Sequence, residues 1–181
     1  MSNGVKTTIL DIKRMKGERR KIPVLTAYDY AMAKILDEAG IPILLVGDSL
    51  GMVYAGYDNT LPVTIDEMIY HTKAVVRARE NALVVVDMPF LSYQISIEET
   101  KRNAGRLVKE GGAEAVKLEG GEDIRDTIKA IIDMGIPVMG HVGLMPQSVH
   151  KMGGYKVQGR TKKEWAQILK DAKAVEKTGA F

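Results

Sequence analysis

The apolar positions of the chain fall into short unbroken runs rather than alternating ones. Val24-Leu-Thr-Ala-Tyr runs into Asp29, Ile43-Leu-Leu-Val passes through Gly47 into Asp48, and Leu83-Val-Val-Val runs into Asp87. Ala115-Val-Lys-Leu runs into Glu119 and Pro137-Val-Met-Gly into His141. An Ile/Leu/Val run of this length reads as a strand covered on both faces, the pattern of a parallel sheet sheathed in helices. Each run ends on an ionisable residue, with helix-like sequence before the next. That is a (β/α) barrel written in one dimension, and such barrels gather their active sites at the C-terminal ends of the strands. The acids are expected to converge there. Asp48, leaving the core at a strand end, needs a charged partner or a metal, because a lone buried carboxylate costs roughly several kcal/mol.

The intervening segments carry helix punctuation. Ile9, Ile12 and Met15 recur at helical spacing, so Thr7 to Gly17 is expected to form a short helix that plugs or flanks the start of the barrel. Asp29 can N-cap a helix over Tyr30 to Ala39, with Gly40 at its C-terminal turn. Gly40-Ile-Pro and Gly135-Ile-Pro each close a helix and launch a strand. Capping boxes are expected at Thr64 with Glu67, Ser96 with Glu99 and Thr161 with Glu164. The first opens a helix whose stripe is Ile65, Met68, Ile69, Val75 and Val76. Ile124, Ile128, Ile131 and Ile132 mark another over Asp123 to Met134. The last, Thr161 to Thr178, is expected to face inward with Trp165, Ile168, Leu169 and Val175. Two glycine-bearing stretches, Met52 to Pro62 and Met145 to Arg160, exceed what a strand-to-helix link needs. Both follow strand ends, so both are read as loops overhanging the site.

Length changes the picture. At 181 residues the chain suits a single domain over 1–181, yet a complete eight-stranded barrel typically takes about 250 residues. The expectation is an α/β (β/α)8 TIM barrel incomplete after about five strands, aggregation-prone or rescued by partner subunits through its exposed strand edges. The 26 basic and 23 acidic residues nearly balance, and no basic run interleaves with aromatics as a nucleic-acid surface would. The basic cluster Lys13 to Lys21 reads as a solvated surface or a feature that steers anions. No cysteine is present, so no disulfide framework exists. No apolar run approaches bilayer length. The expectations are therefore no nucleic acid, no membrane and a cytoplasmic location.

Lys117 and Glu119 lie two apart on one strand and so share a face, toward the barrel mouth. They read either as a substrate clamp beside an acid or as a buried ion pair. Asp48 and Asp87 taken singly also fit helix capping or a turn; their joint place at strand exits argues for a site. Capping alone accounts for Asp29, and His141 fits a substrate pocket or a hydrogen-bonded core position.

The words GDSLG, LPVTIDEMIYHTKAV, VVVDMPF, AVKLEGG and GHVGLMPQSV, in this order, resemble the ketopantoate hydroxymethyltransferase (3-methyl-2-oxobutanoate hydroxymethyltransferase) family over nearly the whole chain. Met145 stands where that family has a threonine. The resemblance implies a barrel of the phosphoenolpyruvate/pyruvate type, a homodecamer, and the first committed step of pantothenate and coenzyme A biosynthesis. It implies transfer of a hydroxymethyl group from 5,10-methylenetetrahydrofolate to 3-methyl-2-oxobutanoate through a Mg-stabilised enolate, giving 2-dehydropantoate. By motif, Asp48, Asp87 and Glu119 would coordinate Mg2+ directly or through water, while Asp48, Ser49, Asp87 and Lys117 would contact the oxo acid. The residues suit that chemistry: Mg2+ prefers oxygen ligands and retains waters. The family's general-base glutamate falls beyond Phe181, so the catalytic base is unknown in this chain. Another Mg-dependent oxo-acid lyase or mutase on the same barrel, or an inactive fragment that only binds ligand or assembles, are the alternatives.

Overall fold

The computed structural model describes residues 6–181. Five parallel strands form one sheet in the order of the chain, β1 (Val24–Thr26), β2 (Ile43–Val46), β3 (Leu83–Asp87), β4 (Ala115–Glu119) and β5 (Val138–His141). All five expected strands are present; β1 is shorter than its apolar run. Helices alternate with them: α1 (Ile9–Gly17), α2 (Tyr30–Glu38), α3 (Leu50–Val53), α4 (Ile65–Ala78), α5 (Ile97–Lys109), α6 (Arg125–Ile132), α7 (Val149–Met152) and α8 (Lys162–Lys177). Consecutive neighbouring strands joined by helical crossovers are the arrangement of a (β/α) barrel wall.

Strand alternation sorts the sheet into two faces. Leu44, Val46, Val84, Val86, Val116, Leu118 and Val138 belong to the large core shared with the helices. Ile43, Leu83, Val85 and Ala115 form a second, smaller core on the other face, into which α1 inserts Ile12 with Ile9 and Met15 beside it. Ile43, Leu83 and Ala115 begin their strands. Helix α1 therefore plugs the N-terminal mouth, the first of the two positions expected for it. Continuing the same parity toward the other end puts Asp87, Lys117, Glu119 and His141 on that inner face, above the apolar plug. Strand β1 lies at the edge, with Val24 and Leu25 exposed.

Local chemistry explains most boundaries. Asp29 accepts from the Met32 N–H and caps α2, which leaves it outside the site. Gly40 and Gly135 both take positive φ, 81° and 85°, at the two Gly-Ile-Pro junctions, where a left-handed residue ends the helix. Full capping boxes form at Thr64 with Glu67 and Thr161 with Glu164. At Ser96 only half the box forms: the Ser96 side chain accepts from the Glu99 N–H. A further box at Thr8 and Asp11 went unread.

Two expectations need correction. The predicted 123–134 helix begins as a 3-10 turn over Glu122–Ile124 before α6. On α8 only Val175 is buried; Trp165 and Leu169 are exposed, with Ile168 intermediate. Helix α8 meets the sheet through its last turns, where Val175 lies so close to Gly140 that an added Cβ there would come within 2.2 Å of Val175 Cγ1. Hydrophobicity marked a face along the whole helix, but full burial is confined to Val175 near its end.

Candidate active site

Strand register assembles the site. Asp87 on β3 stands directly opposite Lys117 on β4, and Glu119 on β4 opposite His141 on β5. Lys117 Nζ donates to Asp87 Oδ1 at 2.5 Å. His141 Nδ1 lies 3.3 Å from Glu119 Oε1 without hydrogen-bond alignment, and this buried nitrogen has no hydrogen-bond partner among the described residues. Asp48 joins from the turn after β2, where its own backbone N–H donates to Asp87 Oδ2 at 3.1 Å. Gly47 permits that approach: a Cβ there would sit 2.8 Å from Ser49 Oγ and 3.4 Å from Asp87 Oδ2. Ser49 Oγ pairs with the Tyr28 hydroxyl at 2.8 Å. The sequence-predicted residues Asp48, Ser49, Asp87, Lys117 and Glu119 therefore meet at one rim, with His141 beside them. Asp29 does not.

Asp48, Asp87 and Glu119 are all buried, at 3%, 4% and 7% exposure. Three carboxyl groups thus face a single ammonium. Burial, then the neighbouring Asp87 charge, push the Asp48 carboxyl up to about 7, against the pull of its Gln147 hydrogen bond and of Lys117. Burial alone would lower Lys117, but the charges of Asp87, Glu119 and Asp48 outweigh it and hold the ammonium above its usual value. The cluster carries surplus negative charge and calls for a cation.

Sequence reasoning missed Gln147. It lies in a 3-10 turn, Pro146–Ser148, within the stretch read as an overhanging loop, and it is 7% exposed. Its Nε2 donates to Asp48 Oδ2 at 2.8 Å and to the Met88 carbonyl at 2.9 Å. Its backbone N–H donates to Glu119 Oε2 at 3.0 Å. The Tyr93 hydroxyl, also missed, donates to Gln147 Oε1 at 2.8 Å, and burial followed by the Glu119 charge raises that phenol. No periodicity marks a neutral amide in a loop; its one cue is its place a few residues beyond a strand end. The two long stretches do overhang the rim, partly helical rather than irregular, and touch where the Tyr155 hydroxyl meets Met52 Sδ at 3.4 Å.

Among the described residues no three His, Asp or Glu side chains come close enough to hold a metal ion by themselves. Asp87 has both oxygens engaged, by Lys117 and by the Asp48 N–H. Asp48 Oδ1 and Glu119 Oε1 receive no hydrogen bond from the described residues, whose only bonds to these groups go to Oδ2 and Oε2. An all-oxygen donor set with surplus charge and two open oxygens fits a hard cation bound by one or two carboxylates, with waters or ligand completing its shell. A cleft of about 390 Å³ opens between the ends of β4 and β5, the 145–160 stretch and α8, lined by Gly120, Gly143, Met145, Met152 and Ile168 among others but by none of the clustered acids. Met145, the departure from the family pattern, thus faces this cleft.

Parallel strands in chain order, joined by helices, with an acid-lined rim at their C-terminal ends define an α/β protein of the (β/α)-barrel type. Its fold is similar to phosphonopyruvate hydrolase, solved in complex with oxalate and Mg++, with a TM-score of 0.68 at 14% identity over 93% of this chain and 59% of that one. It is also similar to 2,3-dimethylmalate lyase, a PEP mutase/isocitrate lyase superfamily member, with a TM-score of 0.64 at 16% identity over 94% and 60%. Residues 6–181 match the ketopantoate hydroxymethyltransferase family, and the chain belongs to that family. Relatives named 3-methyl-2-oxobutanoate hydroxymethyltransferase are 64% identical over 97% of this chain in Geobacter metallireducens and 64% over 96% in Geobacter sulfurreducens. The chain spans 66% and 65% of their lengths. The family is named for a transferase, not for a lyase or mutase. No described helix is long and apolar enough to cross a membrane.

Proposed function

We propose that this chain carries the oxo-acid and metal site of a 3-methyl-2-oxobutanoate hydroxymethyltransferase, which transfers a one-carbon unit from 5,10-methylenetetrahydrofolate and yields 2-dehydropantoate. The observation that carries the reading is the buried cluster of Asp48, Asp87, Glu119 and Lys117 at the strand ends of a chain belonging to this family.

Asp48 and Glu119, each with an oxygen that receives no hydrogen bond from the described residues, would hold Mg2+, with Asp87 beside them. The bound ion would supply Lewis-acid stabilisation of negative charge on the ketone oxygen when the C3 proton leaves. Lys117 supplies the countercharge for the substrate carboxylate by a charge-assisted hydrogen bond, and Asp87 holds the ammonium in place between strands. The Ser49 hydroxyl, oriented by Tyr28, provides a further polar contact. The reading includes a homo-oligomeric assembly, decameric as the family resemblance implies, and a cytoplasmic location.

Deuterium exchange at C3 of 3-methyl-2-oxobutanoate, followed by proton NMR with and without Mg2+, tests the site. Metal-dependent exchange is expected, with solvent or buffer taking the C3 proton, since no residue of 6–181 is assigned as the base. Binding of the oxo acid with no exchange in either condition would leave only ligand binding and overturn the catalytic reading.

A further inference from the structure

Gln147 makes an unusual set of contacts for a loop residue. Between Val138 and Val175 it is the only buried position. The one buried residue of the stretch that overhangs the rim is therefore a polar side chain, not an apolar one. All the hydrogen-bonding capacity of that side chain is used. Both amide protons are placed, on Asp48 Oδ2 and the Met88 carbonyl, and its oxygen accepts from the Tyr93 hydroxyl and, at 3.4 Å, from Gln94 Nε2. Its backbone N–H takes Glu119 Oε2. One residue thus binds two carboxylates that lie 71 positions apart in sequence, Asp48 and Glu119.

The geometry has a direct chemical consequence. A carboxylate free to rotate presents either oxygen to a cation, and the cation then has to order it. Here the Gln147 amide is held by the Met88 carbonyl and the Tyr93 hydroxyl as well as by Asp48, so its orientation does not rest on the acids alone. Building on the function proposed above, we propose that Gln147 is the positioning residue of the acid cluster. It fixes one oxygen of Asp48 and one of Glu119, turns the other oxygen of each toward the divalent cation, and ties the 145–160 stretch to that same pair. Outer-shell partners of this kind commonly change metal affinity by about 10–100-fold when removed.

The test compares the wild-type chain with Gln147→Met, which keeps the length of the side chain and removes its hydrogen bonds. Mn2+ affinity is measured by calorimetry on metal-free protein without oxo acid, and trypsin cleavage after Lys151, Lys156 and Arg160 is timed by mass spectrometry. Mn2+ binding is expected to weaken about tenfold or more, and cleavage at those three exposed sites to accelerate several-fold, without comparable acceleration elsewhere. A side chain that only fills space predicts unchanged Mn2+ affinity and an unchanged cleavage pattern, and that result overturns the proposal. Should Gln147→Met fail to fold, Tyr93→Phe decides: a smaller loss of Mn2+ affinity in the same direction supports the role, and none overturns it. A wild-type chain that takes up no Mn2+ sinks the metal reading and the cation half of this proposal together. The tryptic comparison then stands alone for the anchoring half, which unchanged cleavage rates overturn.

Discussion

Lys117 and Asp87 face each other across β4 and β3, with Nζ and Oδ1 2.5 Å apart and both side chains nearly removed from water. The pairing follows from register: residues opposite each other on parallel strands with the same parity project into the same space. A buried ion pair of this kind is worth little net stability against an apolar pair, but breaking it is expensive, because one charge stays behind without a partner.

Lys117→Met should therefore lower stability by about 3 kcal/mol or more, read by urea unfolding at neutral pH. On the proposed role of the ammonium as partner of the substrate carboxylate, it should also weaken 3-methyl-2-oxobutanoate binding more than Mn2+ binding. Equal losses in both would assign Lys117 to holding the acids alone.

Magnesium should stabilise the folded chain. At a hundredfold excess over its dissociation constant the gain would be about 2.7 kcal/mol, visible as a rise in Tm that EDTA reverses. Asp87→Asn, which keeps the shape and removes the charge, should diminish this rise and weaken oxo-acid binding with it. A variant whose Mg2+ response matches wild type would remove Asp87 from the cation's surroundings.

Asp37 carries a structural prediction with a pH signature. Its buried carboxylate accepts the backbone N–H groups of Glu80, Asn81 and Ala82, tying the end of α2 to the turn before β3. Burial pushes the carboxyl up, but the Glu80, Ala82 and Asn81 N–H groups together outweigh it and hold it below the ordinary value of 3.8. The folded state then binds the proton less tightly than the unfolded one. The stabilisation is present above the ordinary aspartate range and is lost as pH falls through the depressed folded value. Asp37→Asn should cost about 1–3 kcal/mol at pH 7, and the difference from wild type should shrink in acid. Urea midpoints at pH 7 and pH 3 check both parts.

Gly140→Ala should destabilise by about 1–3 kcal/mol, because the new methyl overlaps Val175 Cγ1 and the contact is fully packed. Val175→Ala on its own should lose packing, and the double substitution should be less damaging than the two single losses added together. Additive losses in a thermal-unfolding cycle would mean that α8 does not rest on β5 at this point.

The strands and the acids at their ends were legible because a strand buried on both faces leaves no polar position until it emerges, so the first ionisable residue marks the rim. The Gly-Ile-Pro junctions were legible because left-handed backbone and a proline-restricted start are local demands. Gln147 and Tyr93 were not. A neutral amide and a phenol acquire their roles only when β3, β4 and the 145–152 segment come together, and nothing in their own neighbourhoods requires it. Asp37 was hidden in the same way, since its partners lie more than 40 positions away. Trp165 was misplaced because amphipathic spacing shows that a helix has an apolar side, not that anything covers it.

The two-faced alternation of β4 carries a last consequence. A slide of one residue against β3 would drive Lys117 and Glu119 into the oily layer beneath the helices and bring Val116 and Leu118 up to the mouth. Misalignment would strand two charges in hydrocarbon, so the ionisable groups at the rim also police how the strands are laid side by side.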